Sequence, residues 1–457
     1  MPTPTASILA CALLLGGAAG AGFAQQTGGV SWQPPVDIAV GRGEKGPWEQ
    51  NDSRYDYVDD PAVLLDPRGD ALLAWVDQGS KDVYFQRIAE DGSRRFDTAV
   101  NVSRNPDSFS WLPRIAQDAE APAQVYLLWQ EIIFSGGSHG GDILFARSDD
   151  GGARFSAPLN LSRSVGGDGK GRIDSKTWHN GSFDLLAAPD NVLYAAWTEY
   201  EGPLWISRST DGGRSFDAPR LVAGGRGAKP ARAPALGLGK DGTLYLAWTT
   251  GEDDDADIHL AASTDGGRRF GEPRLIGQGK GYADAPRLAT APDGSIHLVF
   301  AQSNGGPFAE ARIFHARSPD GSRFGTPRPI SAALPSGSRS AAYPSLEIDG
   351  QGRLVVIHEM FDDPRKRSRG LALSVSLDGG ERFSEALPVP ASRDPGGGVN
   401  GGQQGLLMDK LAVTRDGGIA IVNSSLATEE RSRVWLMRGT LQREGRAGCQ
   451  GRAEGCK

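Results

Sequence analysis

The stretch "STDGGRSF" (Ser209–Phe216) is built as a tight turn that feeds a strand. Its aspartate can accept hydrogen bonds from backbone N–H groups a short way on, and the serine hydroxyl does the same more weakly. Glycine supplies the positive φ such a turn needs. The closing Phe216 starts the next strand and can pack beneath the turn. The pattern recurs as "AEDGSRRF" (89–96), "SDDGGARF" (148–155), "STDGGRRF" (263–270), "SPDGSRF" (318–324) and "SLDGGERF" (376–383). Its aspartates, Asp91, Asp150, Asp211, Asp265, Asp320 and Asp378, stand roughly 54 to 61 residues apart, a period that signals a repeat architecture.

A short apolar strand such as "DILFARS" or "DIHLAAS" precedes each turn, and a second hairpin such as "GKDGTLYLAW" precedes that. Each unit therefore reads as four short antiparallel strands, A to D, with the motif at the C–D turn. Four-stranded units repeated radially are the blades of a β-propeller. The stretch "SWQPPVDIAV" (31–40) fits the D-strand frame: Trp32/Pro35/Ile38 match Phe155/Pro158/Leu161. The segments "KLAVTRDGGIAIVNSS" (410–425) and "RVWLMRGTL" (433–441) supply A, B and C strands with no D strand after them. The early strand is predicted to complete that late blade, which removes an open sheet edge. The sequence thus predicts an all-β fold, a single seven-bladed propeller over residues 25–441.

Bulk properties narrow the class. Residues 1–24 are uncharged and mostly apolar and end in a small-x-small pattern, which reads as a signal peptide. An exported chain, periplasmic or secreted, is expected. Cys449 and Cys456 in the tail 442–457 are expected to pair in that setting. No further stretch is long and apolar enough for a membrane span, and a monomer is expected. The net charge of −7 argues against a nucleic-acid partner. The run "GEDDDADI" (251–258) offers oxygen ligands of the kind Ca²⁺ takes, but its spacing matches no EF-hand. It reads as a solvated acidic loop, and no cofactor is expected. The basic run "DDPRKRSR" (362–369) reads as a solvated loop tip.

The motif S-x-D-x-G-x-x-F resembles the Asp box, or bacterial neuraminidase repeat, of the sialidase superfamily. The resemblance covers nearly all of the chain after the leader. It implies that the six motif aspartates are structural and lie on the face opposite the usual site. It also implies a site with arginines around a sugar carboxylate, a tyrosine nucleophile assisted by a glutamate, and an aspartic acid/base. The segment "SAAYPSLEIDGQGRLVVIHE" (340–359) is similar to the family's late segment and maps the nucleophile onto Tyr343 and its partner onto Glu359. Blade 1 departs from the pattern. Where an Arg-Ile-Pro entry is expected the sequence reads "VDDPAV", placing Asp59 and Asp60 there. The count of seven blades rather than six is a second departure.

Loops on the face opposite the motif turns are where a site is expected. Trp48, Trp111 and Trp178 suit sugar stacking. The positions just after the A-strand proline offer Arg114, Arg287 and Lys410 as cations for an acidic ligand. His179 in "TWHNGS" is a candidate base. Three readings follow. The first is a sialidase-like hydrolase of acidic glycans using Tyr343, Glu359 and an aspartate, Asp60 or Asp59. The second is a uronate polysaccharide lyase using His179 with Tyr282 or Tyr343 and a cation. The third is a non-catalytic propeller that binds a glycan or a protein.

Overall fold

A computed structural model describes residues 25–442 apart from 28, 48, 50–51, 106, 136–137, 163–171, 174–177, 180–181, 200–201, 252, 278–280, 394–408 and 428–429. It is a seven-bladed β-propeller of antiparallel four-stranded blades. Six blades are continuous in sequence, from A strand to D strand: Val58–Leu65 to Val100–Asn101, Phe109–Gln117 to Leu159–Asn160, Phe183–Ala188 to Arg220–Ala223, Ala231–Leu238 to Arg274–Leu275, Tyr282–Thr290 to Arg328–Pro329, and Ser340–Ile348 to Leu387–Pro388. The seventh is composite. Leu411–Val413, Gly418–Ala427 and Arg431–Leu441 form its A, B and C strands, and Val36–Gly41 pairs antiparallel with the last of them. Val30–Trp32 extends the same edge through Val30↔Leu441 and Trp32↔Gly439. The predicted closure is therefore present, and no helix among the described residues is long and apolar enough to cross a membrane.

Alternation along the middle strands builds the core. One position near the middle of the B strand carries Trp75, Trp129, Trp197, Trp248, Phe300 and His358 in blades 1 to 6, all buried. Large side chains at this position fill the spaces between neighbouring blades. One cluster, for example, unites Ala74, Val76 and Phe85 of blade 1 with Leu127, Trp129 and Ala146 of blade 2.

The motif turns fasten each blade to the one before it. In the blade-2 copy the Ser148 hydroxyl accepts the Gly152 N–H (2.9 Å) and donates to Asp150 (2.8 Å), which accepts the Arg154 N–H (2.9 Å). The same set recurs at Ser209/Asp211, Ser263/Asp265 and Ser376/Asp378. In the first copy Ala89 replaces the serine, and Asp91 accepts from the Ser93 N–H (2.9 Å) and hydroxyl (2.6 Å). Burial opposes these hydrogen bonds at Asp211, but they prevail and hold its carboxyl at about 2. Gly152 has φ 97°, and a Cβ there would meet the Phe85 ring of the previous blade at 2.0 Å. Gly213 sits likewise on Phe145, Gly321 on Tyr245 and Gly380 on His315. The motif's terminal Phe joins the same contact: Phe155 meets Phe85 edge-on at 5.2 Å, and Phe216 meets Phe145 at 4.9 Å.

Candidate functional site

Five inner strands share a feature that shapes the channel. In blades 1, 2, 4, 5 and 6 the ladder shifts register around an x-Pro pair. The residue before that proline adopts a left-handed φ: Asp60 (50°), Leu112 (59°), Ala233 (49°), Ala285 (57°) and Tyr343 (53°). Left-handed backbone costs a non-glycine residue about 1–3 kcal/mol and persists where its surroundings enforce it. Neighbouring blades supply part of that enforcement. Asp60 accepts the Leu112 N–H (3.3 Å), and Ser182 accepts the Ala233 N–H (2.7 Å). Blades 3 and 7 lack the proline, and no register shift interrupts their A–B pairing.

At the end of the channel where the D–A and B–C loops lie, these bulges gather a polar cluster. The Tyr343 ring, half-buried, stands edge-on to Phe361 (5.9 Å). Its cross-strand neighbour is the pair Ala342↔Glu359, which places Glu359 beside the bulge. Burial pushes the Tyr343 phenol well above its ordinary value, and the charges of Asp284 and Glu359 push it the same way. Glu359 is fully buried and forms an ion pair with Lys410 through Oε1. Its Oε2 has no hydrogen-bond partner among the described residues. On the blade 4–5 side, Tyr282 donates to Asp284 (2.6 Å) and accepts from Arg232 (2.5 Å). Arg232 also bridges to Asp284 at 3.1 Å. On the blade-1 side, burial raises Asp60 to about 7, against the pull of the Leu112 N–H and Lys410. Its neighbour Asp59 is raised well above the ordinary carboxylate range by burial and by Asp60 itself, with Gln78 donating to it at 2.9 Å.

Deeper in the channel is a cavity of about 860 Å³ that reaches the A–B turns and is lined by Asp184, Arg287, Ser345, Glu347 and Asp409 among others. Arg114 and Arg287 both face Asp409, at 3.3 and 3.9 Å. Asp184 is raised to about 6, by burial first and then by Asp409. Glu347 is raised to about 8 for the same two reasons.

The candidates from sequence are thus sorted by place. Tyr343, Glu359, Asp60, Tyr282 and Lys410 come together around one mouth. Arg114 and Arg287 lie further in and converge on a carboxylate of the chain itself, so the three cations do not share one point. Trp111 is 9 % exposed and belongs to the core between blades 2 and 3, which leaves its ring little surface for a sugar. Trp178 and His179 pair with Ile173 and Arg172 in a short hairpin, but their side chains lie outside the described residues. Trp48, Cys449, Cys456 and the leader 1–24 lie outside them as well. Among the described residues no group of three or more His, Cys, Asp or Glu could hold a metal ion. Arg232 and Asp284 were missed by position-wise reading. Their signal was the column two residues before the proline, which reads Asp59, Trp111, Arg232, Asp284 and Ala342 around the ring.

No protein-family model matches the sequence, and no curated protein matches it. Solved structures do match. An ulvan lyase, a polysaccharide lyase bound to a saccharide of GlcA and sulfated rhamnose, superposes with a TM-score of 0.52 at 13 % identity, covering 88 % of this chain and 95 % of that one. A second polysaccharide lyase gives 0.51 at 11 % identity, over 90 % and 100 %. A microbial sialidase gives 0.43 at 14 % identity, over 83 % and 65 %. At these identities the likeness is one of fold.

Proposed function

We propose that this propeller is an exported enzyme that processes acidic glycans at the loop-side mouth of its channel, with Tyr343 as the reacting phenol. One observation carries the reading: the unpartnered Oε2 of Glu359 is buried beside a half-buried tyrosine. An acceptor oxygen in that position suits the proton of a phenol that must become a nucleophile. In a hydrolytic cycle the Tyr343 oxygen bonds to the anomeric carbon as its proton passes to Glu359, and Asp60 protonates the departing glycosidic oxygen. Water then displaces the Tyr343 oxygen, which recovers its proton from Glu359, and Asp60 takes the water's proton. A carboxyl held near 7 suits both halves of that exchange. A neutral phenol also approaches an acidic sugar with less repulsion than a carboxylate would.

A second reading is favoured by the Arg232–Tyr282 contact. An arginine that can neutralise a uronate carboxylate next to a phenol also fits β-elimination, in which a base removes the proton beside that carboxylate. The glycosidic bond on the next carbon then breaks, and its oxygen departs with a proton from an acid. Incubation with sialosides and uronate polymers separates the readings. Hydrolysis gives saturated reducing sugars, whereas elimination gives an unsaturated uronate with ultraviolet absorbance. Binding without turnover of any acidic glycan would make the propeller a recognition module.

A further inference from the structure

Two consecutive residues connect the deep channel to the mouth. Asp409 and Lys410 precede the A strand of blade 7, which spans only three residues, Leu411–Val413, where the other blades have six to nine. The A–B ladder begins at Leu411↔Ile421 and does not include them. Two backbone bonds anchor them instead. The Asp409 carbonyl accepts the Val63 N–H and the Lys410 carbonyl accepts the Val422 N–H, each at 3.0 Å. Their side chains then engage different blades. Asp409 Oδ1 faces Arg114 of blade 2 at 3.3 Å and Arg287 of blade 5 at 3.9 Å. Lys410 pairs with Glu359 of blade 6.

These contacts form a series. The Arg114 side chain is 1 % exposed, and a guanidinium so buried needs a carboxylate beside it. Asp409 supplies one and shares it with Arg287. Adjacent residues share a planar peptide, so pinning the Asp409 carboxylate restricts the rotation that would carry Lys410 away from Glu359. Lys410 takes Oε1 of Glu359, and Oε2 has no hydrogen-bond partner among the described residues. We infer that Arg114 and Arg287 are positioning residues: through Asp409 and Lys410 they hold Glu359 with its Oε2 free for the Tyr343 proton. This role rests on the reading of Tyr343 and Glu359 as the reacting pair. It replaces a direct grip on the substrate's carboxylate, since both guanidiniums already face Asp409.

The first test needs no substrate. N-acetylimidazole acylates a phenol faster when a base takes its proton, and peptide mass spectrometry reads the modification at Tyr343 itself. The proteins are the wild type, Asp409→Asn, Arg287→Gln and Glu359→Gln, with Asp409→Asn and Arg287→Gln also made in the Glu359→Gln background. All are assayed well below their melting temperatures. Glu359→Gln and Asp409→Asn are each expected to slow Tyr343 acetylation about ten-fold, and their combination no further. Arg287→Gln leaves Arg114 on Asp409, so a smaller loss is expected, again absent in the Glu359→Gln background. Should Asp409→Asn fail to fold, Arg287→Gln decides. On any glycan the protein turns over, Asp409→Asn should lower kcat about ten-fold at unchanged KM. Wild-type acetylation in Glu359→Gln, or in both Asp409→Asn and Arg287→Gln, would overturn the positioning role. So would losses that multiply with that of Glu359→Gln, or a rise in KM at unchanged kcat. The expected acetylation pattern in a protein that turns over no glycan would uphold the role and remove the enzymatic reading.

Discussion

Tyr343, Glu359, Lys410 and Asp60 are connected by burial more than by direct contact, and each responds differently to change. Asp60 is raised because its charge is desolvated, so its acid form predominates below about 7. If it donates the proton to the leaving group, kcat/KM should fall as pH rises through 7, and Asp60→Asn should remove that limb along with most of the rate. A pH–rate profile on a turned-over glycan reads both. The Lys410–Glu359 pair is almost fully buried. Removing one partner leaves an uncompensated charge, so Lys410→Met should cost about 3–5 kcal/mol in urea unfolding, and adding Glu359→Gln should restore part of it. The sequence pointed to Tyr343 and Glu359 because the segment 340–359 resembles a family pattern. It could not show that Asp409 would take up Arg114 and Arg287. That meeting joins blades 2, 5 and 7, and nothing local in the chain encodes it.

Among elements, the motif turn was legible and the inner-strand bulge was not. Serine, aspartate and glycine each have one use in such a turn, so composition predicted its hydrogen bonds. Proline normally biases the preceding residue towards extended backbone, so a left-handed Tyr343 or Leu112 carries no local signal. The turn's second glycine is expected to be intolerant: Gly152→Ala would drive a Cβ into Phe85 from a strained φ. A loss of about 2–5 kcal/mol is expected by denaturant unfolding. The blade 5–6 seam differs from the others because imidazoles replace the aromatic ring. Ser295 donates to Asp293 (2.6 Å), so His297 Nε2–H donates to Ser295 (2.9 Å). His297 Nδ1 is left to accept from His315 Nε2 (2.9 Å). Burial, with the Arg317 charge, lowers His297 to about 4, and burial with the His297 and Arg317 charges lowers His315 to about 3. Both are neutral when folded and take protons near 6.5 when unfolded, so their stabilisation is full above 6.5 and is lost as pH falls towards 3. His315→Phe, the residue found at Phe85 and Phe145, should flatten the decline of melting temperature over that range.

At the scale of the whole molecule, the ring depends on a strand from one end of the propeller finishing a blade from the other. Trp32 is 2 % exposed and packs where a Cβ on Gly439 would lie 2.7 Å from its ring. Trp32→Ala should therefore cost about 3–5 kcal/mol in global unfolding, a larger effect than its place on an outer strand suggests. A closed ring also explains why the mouth is assembled from distant sequence: Arg232, Asp284, Tyr343, Lys410 and Asp60 come from five blades. The measurement that bears most directly on the central claim is product analysis after incubation with a panel of sialosides and uronate polymers, run for the wild type and Tyr343→Phe. The account predicts turnover of at least one acidic glycan and none of neutral ones, with a loss of about a thousand-fold in kcat for Tyr343→Phe at unchanged melting temperature. Turnover that survives Tyr343→Phe, or a wild type that turns over no acidic glycan at all, would contradict it.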